Sequence, residues 1–240
     1  MNKLLAQTRV EVTLTARRGE SLLLTLGIPV LLLVFFSLVD VLPTGTAKGI
    51  DFLAPGILAL AVMSTAMVGL GIATGFERSY GVLKRLGATP LGRPRLVAAK
   101  VASVLAIELG QFAVLIPVAF ALGWHAGSGW PASLGAVLLG TAAFAGVGLL
   151  MAGRLRGEVN LAAANGLYLV LLLVGGMVIP LTKLPSGLRS VARALPSGAL
   201  SDALHGALTK GLSVPARAWV VLVVWAVIAP AAAAATFRWE

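Results

Sequence analysis

Polar and charged positions punctuate this chain at long intervals. Between them lie six apolar runs, at about 21–39, 52–76, 97–123, 132–153, 161–180 and 216–236. Each approaches or exceeds the roughly 18 to 20 residues that a helix needs to cross a bilayer core. A bilayer offers no water to unpaired backbone amides, so every run is expected to be an α-helix. The expected fold is an all-α integral membrane protein, one transmembrane domain over 1–240 built as a six-helix bundle. The first run follows a polar prelude that contains Glu11 and Glu20, and no small-residue cleavage site comes after it. It is therefore expected to be retained as a span rather than removed as a signal peptide.

Two further segments carry a helical pattern without the length of a span. Over 3–18, Leu4, Leu5, Thr8, Val12 and Thr15 gather near one face, with Lys3, Gln7 and Arg17 elsewhere. That pattern suits a helix lying in the membrane interface, and a polar leader before the first span is the plainer reading. Over about 183–210, Leu184, Leu188, Val191 and Leu195 recur at helical spacing. After Pro196 and Ser197 a second stripe runs through Leu200, Ala203, Leu204, Ala207 and Leu208. Each piece is too short to cross, so a helical pair dipping into or lying on the outer face is expected before the sixth span. Crossing as a pair would give eight helices, at the cost of burying Arg189, Arg193, Asp202 and Lys210.

Composition agrees. Hydrophobic residues make up 58% of the 240 and charged residues 12%, with a mean hydropathy of +0.96; a soluble domain carries about 25% charged residues. The net charge of +10 does not indicate nucleic acid, because the cations sit in short connections beside apolar runs. With the amino terminus inside, 13 of the 19 lysines and arginines fall on the inner side. Five of the other six belong to the single long connection before the last run. Short loops govern orientation, so a multi-pass plasma-membrane protein with both termini cytoplasmic is expected. There is no cysteine, no phosphate-binding loop and no HExxH, and His125 and His205 stand apart in outer connections. Neither a catalytic nor a metal site is expected. Gly127-Ser128-Gly129 reads as turn chemistry.

Inside the runs the ionisable outlier is Glu108, with Gln111 one helical turn further on and Asn165 in the fifth run. A charge at such depth costs about 2.5 to 3.5 kcal/mol and must face protein or water. Function and interhelical packing both remain open for Glu108, while Asn165 leans towards packing. Pro29, Pro117 and Pro230 lie within runs, and Gly71 with Gly75 forms a GxxxG spacing that signals close packing without naming the partner helix.

The segment 76–95 is too long for a simple connector. Phe76, Tyr80 and Leu83 fall at i, i+4 and i+7, with Arg78, Lys84 and Arg85 elsewhere, before Thr89-Pro90 and Arg93-Pro94. A short surface helix with an uncovered apolar face is expected, suited to docking a cytoplasmic partner; anchoring on anionic lipid is the alternative.

The run Glu77-Arg78-x-x-Gly81-x-Leu83-x-Arg85-Leu86, followed by Thr89-Pro90-Leu91, resembles the signature between the second and third spans of type-2 permeases of ATP-binding-cassette (ABC) transporters, including the daunorubicin-resistance type. Pro180, Leu184-Pro185, Leu188, Leu195-Pro196 and Ala203-Leu204 resemble that family's outer helical pair. Val82 departs from the small hydroxyl residue that many relatives carry there. The resemblance implies an elbow helix at 3–18 and a coupling helix at about 77–90 that docks a separate cytoplasmic ATPase. It also implies ATP and Mg bound on that subunit and not on this chain, and a second permease copy or paralogue completing the path. Leu83 and Leu86 would then supply apolar contact, Arg78, Lys84 and Arg85 charge complementarity, Glu77 the orientation of the helix start, and Tyr80 and Gly81 would belong to the same surface. Export of a drug, lipid or other amphiphile is what the resemblance implies. A proton-coupled secondary transporter using Glu108 is the alternative, and a non-transporting membrane scaffold the third reading.

Overall fold

The computed structural model describes residues 13, 19–39, 49–87 and 93–236. The expected elbow helix at 3–18 and the side chain of Leu86 fall outside what it describes.

Among the described residues the regular structure is all helical, apart from one isolated antiparallel bridge between Ala126 and Thr209. Helix α1 is Gly19–Leu38. Next comes α2, Gly49–Met63, which runs through a π-helical turn at Ser64–Gly69 directly into α3, Leu70–Ser79. After a break come α4, Val82–Gly87, and α5, Arg93–Ala121. The remaining long helices are α6, Trp130–Ala152, and α7, Gly157–Val174. A 3₁₀ turn at Leu181–Lys183 leads to α8, Ser186–Ala194, α9, Pro196–Leu208, and α10, Ala216–Thr236. The end of the bundle carrying α4 is called the near face, and the end carrying the α5–α6 and α9–α10 connections the far face.

Among the described residues, five helices are long and apolar enough to cross a membrane: Gly49–Ser79, Ala98–Ala121, Trp130–Ala152, Gly157–Val174 and Ala216–Thr236. The first apolar run is helical as Gly19–Leu38. Two expected boundaries are corrected. The fifth run was expected to reach Pro180, but α7 ends at Val174, because Gly176 adopts a φ of +73° and turns the chain away. The second run was expected to end near Phe76, but its helix continues to Ser79. Pro94 does not interrupt the chain either: it sits in the first turn of α5, where its missing N–H costs nothing.

The 31-residue helix α2–α3 is the axis of the bundle. Its most apolar stretch is 72% buried, against 22% for α7 and for α10. Lipid is as apolar as leucine, so helices in a membrane associate by close fit rather than by hydrophobicity. The fit is supplied by small residues. Gly71 lies against Gly148 of α6, where a Cβ on Gly148 would come within 2.5 Å of the Met67 carbonyl oxygen. Gly75 lies against Asn160 of α7, so the GxxxG pair serves two partner helices. Asn160, fully buried, donates from Nδ2 to the Gly71 carbonyl at 2.8 Å.

The helical pair at 183–210 forms, but α9 is not a surface helix. It is inserted among α2, α6 and α10 and buried nearly all round, its Leu200 filling the space left by Gly140. The Gly127 and Gly129 amides donate to the carbonyls of Leu208 and Ala207 at 2.7 and 3.1 Å, tying its far-face end to the α5–α6 connection. His205 stands between the carbonyls of Ser201 and Phe52, at 2.8 Å from Nδ1 and 2.9 Å from Nε2, and its ring packs on Phe52. Burial pushes the imidazole below its ordinary value of 6.5, against the opposing pull of the two carbonyls and Asp202.

A side chain at Gly148 would collide with backbone and cannot be absorbed by a rotamer change. Gly148→Val is expected to cost at least about 2 kcal/mol and to lower the melting temperature in detergent. Gly110→Ala, at a position with open space around it, should leave melting unchanged. With His205 depressed in the folded state, the unfolded chain binds more protons in the interval below about 6.5, so stability rises with pH through that interval and levels off above it. The melting temperature is therefore expected to fall on acidification from pH 7.5 to 5.5, and His205→Gln to lose that component of the slope.

Candidate functional site

Gly81 is the residue that shapes the near face. Helix α3 closes at Ser79, the Tyr80 and Gly81 amides donate back to the carbonyls of Phe76 and Arg78, and Gly81 takes a φ of +70°, which reverses the chain into α4. A residue with a Cβ would be strained there. The expected continuous helix over 77–90 is therefore corrected. Glu77 and Arg78 belong to the last turn of the α2–α3 helix, and among the described residues the separate surface helix is Val82–Gly87.

That last turn is tied to three other helices. Glu77 accepts from Lys100 Nζ of α5 at 2.6 Å, in a pair whose side chains are 16% and 2% exposed. Arg78 donates from Nη1 to the Ala152 carbonyl at the end of α6, 2.9 Å away, which satisfies one of the acceptors a helix end leaves open. Phe76 and Ser79 enclose Gly157 at the start of α7, and Phe76 stacks on Tyr80.

The uncovered apolar face expected from Phe76, Tyr80 and Leu83 is not formed as such. Leu83 is fully buried and holds α4 onto the rest of the chain. What the turn exposes is Tyr80, 71% accessible, and Val82, with Lys84 and Arg85 beside them. The periodicity was misread because it was carried through Gly81 as if the helix did not break.

Deeper in the bundle Glu108 and Gln111 on α5 are both buried and bonded to neighbouring helices, and Asn165 is not. Glu108, 1% exposed, accepts from Thr141 Oγ1 of α6 at 2.7 Å, and its Oε1 is buried without a hydrogen-bond partner among the described residues. Gln111, 3% exposed, accepts from Thr65 Oγ1 in the π-helical turn at 3.0 Å. A wide turn of this kind re-aims the side chains of a helix, and here it carries Thr65. Together these contacts bind α5 to both α6 and the axis helix. Asn165 lies on the exposed flank of α7 and, among the described residues, donates only to its own helix, at the Leu161 carbonyl.

Reading the sequence alone missed Lys100, Asn160, Thr65 and Thr141. Lys100 left a usable signal: it is a cation inside the third apolar run, at the same membrane end as Glu77. Thr65 and Thr141 left none, since threonine is ordinary in an apolar helix.

The family described as ABC-2 type transporter matches the chain over residues 3–208. No curated protein matches it. The matched stretch takes in the near-face turn, the four long helices from α2 to α7 and the α8–α9 pair. The chain belongs to the ABC-2 type transporter family, as a multi-pass membrane permease that is not itself catalytic.

Proposed function

We propose that this permease is the membrane subunit of an ATP-driven exporter, and that the turn from Glu77 to Gly87 is its docking element for a separate cytoplasmic ATPase. The observation that carries this reading is the tethering of one exposed turn to three helices through Lys100, the Ala152 carbonyl and Gly157. A push delivered there moves α3, α5, α6 and α7 together, as a rigid-body transition between inward and outward access requires. Tyr80 and Val82 supply the apolar contact and Lys84 and Arg85 the charge complementarity. Leu83 and Gly81 shape the turn, Glu77 and Arg78 transmit its motion, and Leu86 stands on the same short helix. ATP and Mg bind on the partner.

In this reading α1 is the sixth span, both termini are cytoplasmic, and the far face is outside. A second permease, a copy or a paralogue, completes the path, because one bundle built on a buried axis helix offers no conduit for a bulky solute. The flank of α7 suits that contact. Ala162, Asn165, Gly166 and Leu169 are exposed along it, and an amide at membrane depth gains from a partner helix. The cargo is a drug, lipid or other amphiphile. Glu108 acts here by joining α5 to α6 and not as a proton carrier.

Affinity purification of the tagged full chain from mild detergent is expected to bring a nucleotide-binding subunit with it at equal stoichiometry, in a complex whose native mass contains two permeases. Tyr80→Asp with Val82→Asp should leave the permease inserted and release that subunit; an unchanged complex would sink the docking assignment. The ion pair makes a separate prediction. Lys100→Met alone leaves a mostly buried carboxylate unpaired and should cost about 3–5 kcal/mol, whereas Lys100→Met with Glu77→Gln should recover most of the loss. A double-mutant cycle on melting in detergent measures it.

A further inference from the structure

Helix α8 carries two arginines that pair with no anion among the described residues. Arg189 and Arg193 stand at i and i+4, on one edge of a nine-residue helix, where like charges repel. Arg189 is held by the carbonyls of Thr182 and Leu184, at 2.8 and 2.9 Å from Nη2, but its Nε is buried without a partner among the described residues. The Nε of Arg193 is buried and unpartnered as well, and among the described residues Arg193 makes no hydrogen bond or ion pair. The described carboxylates at this end are already engaged: Asp202 with Arg217 at 3.1 Å, and Asp51 with the His125 backbone amide at 2.8 Å.

The depth of α8 sharpens the problem. Trp225 donates from Nε1 to the carbonyl of Ala194, the last residue of α8. Trp225 lies nine residues into α10, about 13 Å from that helix's far-face end at 1.5 Å per residue. Leu200, one turn beyond the α8–α9 corner, packs on Gly140, ten residues into α6. The corner thus sits well below the level of Trp124 and Trp130, which mark the far-face end of the bundle. Cations at such depth reach for phosphate or draw the headgroup layer inward. The other flank of α8 is apolar and uncovered, with Leu188 40% and Val191 56% exposed.

We propose that the Arg189–Arg193 edge of α8 binds the phosphate of a net-anionic lipid in the far-face leaflet, whose acyl chains lie along Leu188 and Val191. Arginine suits this role because its planar fork holds a phosphate by two parallel hydrogen bonds. The lipid covers the exposed apolar flank, offsets the repulsion between the two cations, and marks α8 as the place where the permease meets amphiphiles on that side. This assignment does not rest on ATPase docking, and its failure would leave that reading untouched.

The test uses the full chain in detergent and native mass spectrometry with two probes, palmitoyl-oleoyl phosphatidylglycerol and the corresponding phosphatidylcholine. The expected result is at least a tenfold preference for phosphatidylglycerol, abolished in Arg189→Gln with Arg193→Gln and reduced in Arg189→Lys with Arg193→Lys. No preference in the wild-type chain overturns the proposal whatever the variants do, as does an unchanged preference in the glutamine pair. Inorganic phosphate that displaces the lipid at millimolar concentration would assign the site to a soluble anion instead. Asp40 lies outside the described residues, so Asp40→Asn is the remaining control. If it lowers the melting temperature of the lipid-free chain as far as the glutamine pair does, the arginines belong to Asp40 and the lipid site is refuted.

Discussion

Lys100 is almost wholly buried at the near-face end of a membrane helix, and a cation so placed must meet an anion within the protein. The anion is Glu77, 23 residues earlier, on the last turn of the axis helix. This one requirement brings the ends of α3 and α5 together and so closes the loop that holds Gly81 and α4. Arg78 on the same turn satisfies the end of α6, and the ring of Phe76 covers the start of α7. The near face is therefore a junction of four helices organised by three consecutive side chains.

Away from that junction the bundle is held by fit and by a few hydrogen bonds. The axis helix meets α6 where Gly71 and Gly148 bring the backbones into contact, and it meets α7 through Asn160. The pairs Thr65–Gln111 and Thr141–Glu108 fasten α5, whose most apolar stretch is only 28% buried and which would otherwise have little to hold it. Such bonds are individually worth only about 0.6 to 2 kcal/mol in membranes. Their value here lies in register, because each fixes how far one helix slides along another.

The candidate site was legible in part. Glu77, Arg78, Gly81, Lys84 and Arg85 stand out in sequence because charges and a glycine are conspicuous between apolar runs, and they do form one turn. Leu83 was assigned to the wrong side of it. Helical spacing identifies a face only while the helix continues, and the positive φ of Gly81 ends the phase relation between Tyr80 and Leu83. Glu108 and Gln111 were flagged by their cost in lipid, yet a cost says that a partner exists without saying which.

By itself, the sequence determined that the chain is helical and embedded in a membrane, and where the long helices lie to within a few residues. Composition and run length dictate this, since a bilayer accepts little else. It also determined that α8 and α9 are short and separated at Pro196. Only the tertiary structure decided that α9 is inserted into the bundle while α8 is left exposed, that α7 stops at Val174, and that Lys100 belongs to Glu77. These outcomes depend on which surfaces meet. Small residues spread along every helix permit many close approaches, and the shapes of Leu200 against Gly140 and Met67 against Gly148 select among them.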